Sequence, residues 1–352
     1  MEELRSEARL AAVLRDDYGL DAAHLERLYS KAKRHQWNAE ADVDWGLFES
    51  GVPIIDPERD LLSRLPSIRA LPKEAQDALF REAALFLLSQ ILHGEQAALM
   101  VCGQLVNLVP DVDGKLAAAV QVMDEARHVE VFARYLALHG HRYPMDPDLG
   151  AIVSALLAET DWEAKCVGMQ VILESVALSF FRLGEACAVE PLFASLIGRV
   201  HEDESRHVAY GVLALEERLP GLSEATRRRL EDFALDAVTR IAGRAGRPTF
   251  TTQLRILERV PVDAGELLPR VVQDLGRLED LDLEGLRDPV ADTVLPNLLR
   301  CGLVPERHLL PYLAQGFDID LAAGTVRDLH SFHPRAREAR ARLAEAGAPG
   351  PS

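Results

Sequence analysis

Six side chains of this 352-residue chain have the types and the spacing to hold two metal ions. The hexapeptide Asp-Glu-x-Arg-His-Val occurs twice, as DEARHV at 124–129 and DESRHV at 203–208. On a helix, residues three apart lie about 60° apart around the axis and one turn apart along it. Glu125 with His128, and Glu204 with His207, therefore each aim a carboxylate and an imidazole at one point. A single Glu-x-x-His pair is common by chance; two in a shared frame are not. Two further carboxylates stand out by their surroundings. Glu95 is the only charge in residues 83–110, and Glu174 lies in the uncharged run CVGMQVILESVALSFF. A lone carboxylate in an apolar setting must be paired, protonated or metal-bound.

The elements that would carry these groups follow from their spacing. Glu95 and Glu125 are 30 residues apart, as are Glu174 and Glu204. In an antiparallel hairpin, residues equidistant from the turn lie at one height. The midpoints, 110 and 189, fall on Pro110-Asp111 and on Val189-Glu190-Pro191. Each arm is then about 15 residues, or roughly 22 Å at 1.5 Å per residue. Breakers place the first helix over about Lys73–Leu108, the second from there to about His139, and a loop at 140–150. A short helix to about Glu159 and a long one to about Ala188 follow, then a fourth core helix to about Arg218 and another to about Ala242. The 49 residues from Glu125 to Glu174 are too many for a third such hairpin and suit a crossover. No alternating strand pattern stands out.

One Glu on each of two helices and Glu-x-x-His on two more resembles the ligand pattern of the ferritin-like di-iron carboxylate superfamily, over about residues 75–220. The resemblance implies an all-α, ferritin-like four-helix bundle of two hairpins joined by a crossover, with extra N- and C-terminal helices. It also implies that Glu95, Glu125 and His128 hold one metal and Glu174, Glu204 and His207 the other, some carboxylates bridging. Asp124 and Asp203 resemble that superfamily's acceptors for ligand histidines, which fix the imidazole tautomer. Mixed carboxylate and imidazole ligation with open positions suits two Fe ions, with Mn the competitor and O2 the co-substrate.

Four chemistries share such a site. Iron storage needs less than this chain, and the scattered cysteines (102, 166, 187, 301) cannot build a rubredoxin-type site. The ribonucleotide reductase small subunit carries a tyrosine four residues past its first ligand His, where this chain has Phe132. A desaturase needs acyl carrier protein, for which an acidic surface offers no obvious dock. The chain's size and the WNAEADVDW segment at 37–45 look more like the aminobenzoate (arylamine) N-oxygenase family. The expectation is an O2-activating non-haem di-iron oxygenase acting on a small organic substrate, by N-oxygenation or hydroxylation; ferroxidase or acyl desaturase is the alternative. The N-oxygenases are distinguished by one more His ligand four residues before the fourth-helix Glu, which here is Val200. His201 stands one residue later and is a candidate seventh donor should a local bulge turn it inward. A substrate cavity between the first and third bundle helices would be lined by Leu99, Gln170 and Leu178.

Bulk properties bound the rest. Lys plus Arg total 39 against 56 Asp plus Glu, a net charge of −17, which excludes nucleic acid and anionic membrane as partners. The charged N-terminus MEELRSEARLAAVLRDDYG is not read as a signal peptide, and scattered reduced cysteines suit the cytoplasm. No flavin or nicotinamide motif is present, so electrons are expected from an external reductase or ferredoxin. A homodimer is expected. The segmentation is an extension at 1–72, the bundle at 73–245, short helices at 246–345 and a disordered tail at 346–352.

Overall fold

The computed structural model describes residues 5–14, 18, 22–242, 250–277, 288–329 and 333–346. The tail assigned to 346–352 lies outside these residues except for Ala346. Helices dominate. They are α1 Ala23–Arg34, α2 Pro66–Arg69, α3 Lys73–Leu108, α4 Val112–Leu138, α5 Pro147–Ala158, α6 Trp162–Lys165, α7 Glu174–Cys187, α8 Pro191–Arg218 and α9 Glu224–Ala242. The shorter α10 Phe250–Leu257, α11 Ala264–Leu275, α12 Leu295–Arg300, α13 Leu309–Gln315 and α14 Pro334–Glu345 follow. A π-helical segment, Cys166–Leu173, joins α6 to α7, so that one helical rod runs from Trp162 to Cys187.

Both expected hairpin turns are present, and side chains build them. Asp111 caps α4 by accepting from Gly114 N at 2.6 Å. A Cβ at Gly114 would meet Val109 Cγ1 at 2.5 Å, so this tight reversal requires glycine. Pro191 occupies the first turn of α8, where its missing N–H costs nothing. Glu190 caps the same helix through Leu192 N and Phe193 N and also accepts from Tyr135 Oη on α4 at 2.9 Å.

Two apolar clusters sandwich the bundle's polar middle. One holds Leu79–Leu92 of α3, Val131–Leu136 of α4, Phe181 of α7 and Leu192–Val200 of α8. The other holds Ala97–Leu105 of α3, Ala117 and Ala118 of α4, the π segment and Val208–Leu215 of α8. Helix α3 passes from the first cluster to the second, as does α8; α4 and the Trp162–Cys187 rod pass the other way. This is the up-down-down-up order that a crossover between two hairpins produces. Helix α5, which begins at Pro147 inside the stretch expected to be loop, packs on α3 within that crossover. Lys73–Leu108 and Trp162–Cys187 are long and apolar enough to cross a membrane, but 56% and 61% of their most apolar stretches are buried within the fold.

Two features depart from a purely helical reading. Phe317–Asp320 and Thr325–Asp328 pair as an antiparallel hairpin, too short for strand periodicity to show, with Gly324 at φ 64° in its turn. The N-terminal region does not hang free of the bundle: α1 packs on α4 and α8, tethered by Ala22 N donating to the buried Asp113.

Candidate metal centre

The polar layer between the two apolar clusters is the predicted donor set. Glu95 reaches it from α3, Glu125 and His128 from α4, Glu174 from the start of α7, and Glu204 and His207 from α8; all six are buried. Their donor atoms fall into two groups within metal-holding distance, Glu95–Glu125–His128–Glu204 and Glu125–Glu174–Glu204–His207. Glu125 and Glu204 belong to both. Nδ1 of His128 lies 3.2 Å from Glu95 Oε2 and 3.0 Å from Glu204 Oε1. Nδ1 of His207 lies 3.0 Å from Glu125 Oε1 and 3.1 Å from Glu204 Oε2. Nδ1 is thus the imidazole atom that faces the carboxylates in both halves.

The far nitrogens are held crosswise. His128 Nε2 on α4 meets Asp203 Oδ2 on α8 at 3.1 Å, and His207 Nε2 on α8 meets Asp124 Oδ2 on α4 at 3.3 Å. Each aspartate therefore orients the imidazole of the opposite motif, not of its own. Arg127 Nη2 donates to both Asp124 Oδ1 and Asp203 Oδ2 at 2.7 Å, and Arg206 pairs with Asp203. The N-terminal segment closes over this quartet. Gln36 donates to Asp124 Oδ1 at 2.6 Å and accepts from Arg127 Nη1 at 2.7 Å. Trp37 Nε1 donates to Asp203 Oδ2 at 2.8 Å, with its ring 4.5 Å from the Arg127 guanidinium. Toward the other cluster, Gln121 Nε2 donates to Glu125 Oε1 at 2.9 Å and Glu174 Oε1 at 3.0 Å, and its own oxygen accepts from Gln170.

Charge decides what this set fits. The two aspartates are balanced by Arg127 and Arg206, all four buried. The four glutamates have only two imidazoles among them, and four negative charges cannot stay ionised without cations. Burial, then the Glu204 charge, pushes the Glu95 carboxyl well above the usual carboxylate range, and burial with Glu204 and Glu125 does the same to Glu174. Burial also opposes ionisation of Glu125 and Glu204, but the His207 charge overrides it, holding Glu125 well below that range and Glu204 at about 2. Both histidines move well above their usual value: burial opposes this, but carboxylates on each side prevail. The cluster by itself is a proton-holding one, and two divalent cations would neutralise the four carboxylates without those protons. Glu125 Oε2 and Glu204 Oε1, on the two shared residues, are buried with His128 Nδ1 beside them at 3.5 and 3.0 Å. Four carboxylates and two neutral imidazoles converging on one buried centre fit two iron ions.

The remaining sequence candidates lie apart from the cluster. His201 is outside both donor groups; its Nδ1 lies 2.7 Å from Glu185 Oε2 on α7, and α8 is regular there. The π-helical irregularity falls instead on Cys166–Leu173. Val200 is fully buried in apolar contacts. Gln170 is buried and bonded to Gln121 and Cys102, Leu178 is buried and Leu99 half-buried. Gln36, Trp37 and Gln121 escaped the sequence reading. Gln121, one turn before Glu125 in the apolar run AAAVQVM, carried a weak signal; Gln36 and Trp37 carried none beyond an aromatic-containing turn segment.

No curated protein matches the chain. Two solved structures of R2-like ligand-binding oxidase, one with an aerobically reconstituted metal cofactor after photoconversion and one with an aerobically reconstituted Mn/Fe cofactor after a long soak, are similar to it. They share 18% and 17% identity, cover 76% and 83% of this chain and 98% and 99% of their own, and have TM-scores of 0.45 and 0.43. The family model of p-aminobenzoate N-oxygenase AurF matches residues 21–263. That match spans well over half of the chain, including every donor of the cluster and the segment that closes over it, so the protein belongs to the p-aminobenzoate N-oxygenase AurF family and is a di-iron oxygenase of small organic molecules.

Proposed function

We propose that the protein transfers oxygen from O2 to the nitrogen of a small aryl amine, at two iron ions held by Glu95, Glu125, His128, Glu174, Glu204 and His207. One observation carries the ligand assignment: two buried donor groups that share Glu125 and Glu204, the arrangement two adjacent cations need. Family membership supports the substrate class. An iron pair bound there would supply Lewis acidity and pass electrons from an external donor to O2. The chain's own residues do the rest. Asp203 and Asp124 accept hydrogen bonds from Nε2–H of His128 and His207, which keeps the proton on Nε2 and leaves each Nδ1 lone pair facing inward. Gln121 holds Glu125 and Glu174 in register. The apolar clusters on either side exclude water and strengthen every charge interaction between them.

C-hydroxylation is the second reading, favoured by one observation: the additional His that the N-oxygenases carry is replaced by the buried Val200, and His201 is tied to Glu185. Electrons would come from an external one-electron donor. A homodimer is supported by two exposed methionines, Met100 of α3 and Met123 of α4, which are 50% and 58% exposed on an otherwise acidic protein. Four buried free cysteines support a cytoplasmic location.

The test is anaerobic loading with Fe(II), then addition of O2 and a set of aryl amines, with metal analysis and mass spectrometry of products. Two irons per chain and a nitroso or nitro arene are expected. Ring-hydroxylated products would select the second reading, and one bound Zn with no affinity for iron would overturn the metal assignment.

A further inference from the structure

A narrow slot lies between α1 and the α4–α8 pair, with His207 in its lining. Leu28 and Ala32 of α1 and Ala117 and Val120 of α4 line it, and Gln121, Asp124, Arg206 and His207 line it as well. Gln121 also bonds Glu125 and Glu174, so the slot meets the half of the centre that Glu174 and His207 build. This is not the side between α3 and α7, where Leu99, Gln170 and Leu178 lie.

Size and polarity limit what can use it. The slot has room for about 20 Å³. A cavity of ~10–15 Å³ already accommodates one water-sized molecule, whereas pockets for organic ligands begin at roughly 300 Å³. A diatomic gas fits and an aromatic ring does not. Most of the surface exposed to the slot is hydrocarbon, although Asp124 and Arg206 also line it, and apolar cavities stay dry and take apolar guests. The slot is also held at this width. Ala22 N is tied to Asp113 just before α1, and Gln36 to Asp124 just after it.

We propose that this slot is the path by which dioxygen reaches the centre, separate from the path of the organic substrate. The proposal rests on the reading of the chain as an O2-using di-iron oxygenase. Its class of ligand is a non-polar diatomic, its outer wall is α1, and Ala32 and Val120 set its width.

Two substitutions with opposite effects test it. Ala32→Val adds two methyl groups to the wall, and Val120→Ala removes two. Crystals of metal-free protein pressurised with xenon should show the gas beside Ala32 and Val120 in the wild type, less in Ala32→Val and more in Val120→Ala. In Fe(II)-loaded protein the second-order rate of reaction with O2 should fall about tenfold in Ala32→Val, equivalent to ~1.4 kcal/mol on the barrier, and rise in Val120→Ala. Xenon bound only elsewhere, or two rates that move the same way, would overturn the slot while leaving the oxygenase reading intact. Failure of the loaded wild type to consume O2 at all would overturn both.

Discussion

Gly211 and Gly198 both lie inside α8, and alanine at the two positions should act in opposite directions. Replacing a mid-helix glycine by alanine gains ~1 kcal/mol of helix propensity. At Gly198 nothing opposes this, because a Cβ there would meet Glu185 Oε1 at an ordinary 3.6 Å. At Gly211 the Cβ would lie 2.2 Å from Gln170 Cβ and 3.3 Å from the Gln170 carbonyl carbon. Carbon atoms prefer about 3.5–4.0 Å, and neither neighbour can rotate away, so α8 and the π segment must part by more than an ångström. Overpacking of a dense interior costs ~1–3 kcal/mol, and this geometry belongs to the upper half of that range. Gly211→Ala should therefore lose ~1–2 kcal/mol net, and Gly198→Ala should gain up to ~1 kcal/mol. Gly211 stands one turn past His207 and Gln170 one turn before Glu174, so the same displacement separates two donors of one metal position. Urea unfolding of metal-free protein would show the midpoint falling in one variant and rising in the other at unchanged slope. Competitive Co(II) titration should show about tenfold weaker binding in Gly211→Ala alone, ~1.4 kcal/mol. A Gly211→Ala protein as stable as Gly198→Ala, with wild-type metal affinity, would refute the account of how the π segment seats against α8.

Four further outcomes follow from the centre. Glu125→Ala should abolish binding of both metals, because Glu125 belongs to both donor groups, whereas Glu95→Ala should leave one metal per chain; elemental analysis of the purified variants separates these results. Asp203→Asn leaves Arg127 and Arg206 short of a buried counter-charge and His128 without its carboxylate, so it should cost ~3–5 kcal/mol in denaturant titration of the metal-free protein and about 10–100-fold in metal affinity. Glu95, Glu174, His128 and His207 all have raised pKa values in the metal-free cluster, so their protons must leave when metal enters. Affinity should therefore rise with pH and be lost toward acid, with proton release detectable in weakly buffered dye solution; proton uptake on loading would contradict it. Phe132 stands four residues past His128, so O2-treated protein should show no persistent tyrosyl signal by electron paramagnetic resonance.

Much of this molecule is legible from local pattern, because helix geometry converts sequence spacing into height and facing. The 30-residue interval within each Glu pair, centred on Pro110-Asp111 and Val189-Glu190-Pro191, defines two hairpins with their carboxylates at one level. The bounds Lys73–Leu108 for α3 and the end of α8 at Arg218 follow from Pro, Gly and Asp breakers. Glu95 and Glu174 stand out because charge in an apolar run is costly enough to need a reason, and the two Glu-x-x-His pairs stand out because they repeat in one frame. All of these are statements about one helix or one hairpin at a time.

What joins different helices had to wait for the tertiary structure. Spacing fixes how high a residue sits but not how each helix is rotated against its neighbours, which interdigitation of side chains decides. Hence the sharing of Glu125 and Glu204, and the crossed pairing of Asp203 with His128 and Asp124 with His207, could not be read from either motif alone. Gln36 and Trp37 lie 88 and 166 residues from the aspartates they grip, a separation over which no periodicity carries information. The bulge imagined on α8 to turn His201 inward lies instead on the other arm of the same hairpin, at Cys166–Leu173, where Gly168 in the segment and Gly211 on α8 leave the space for it. Helix α1, in sequence an extension before the bundle, is in space the outer wall of the slot that reaches His207.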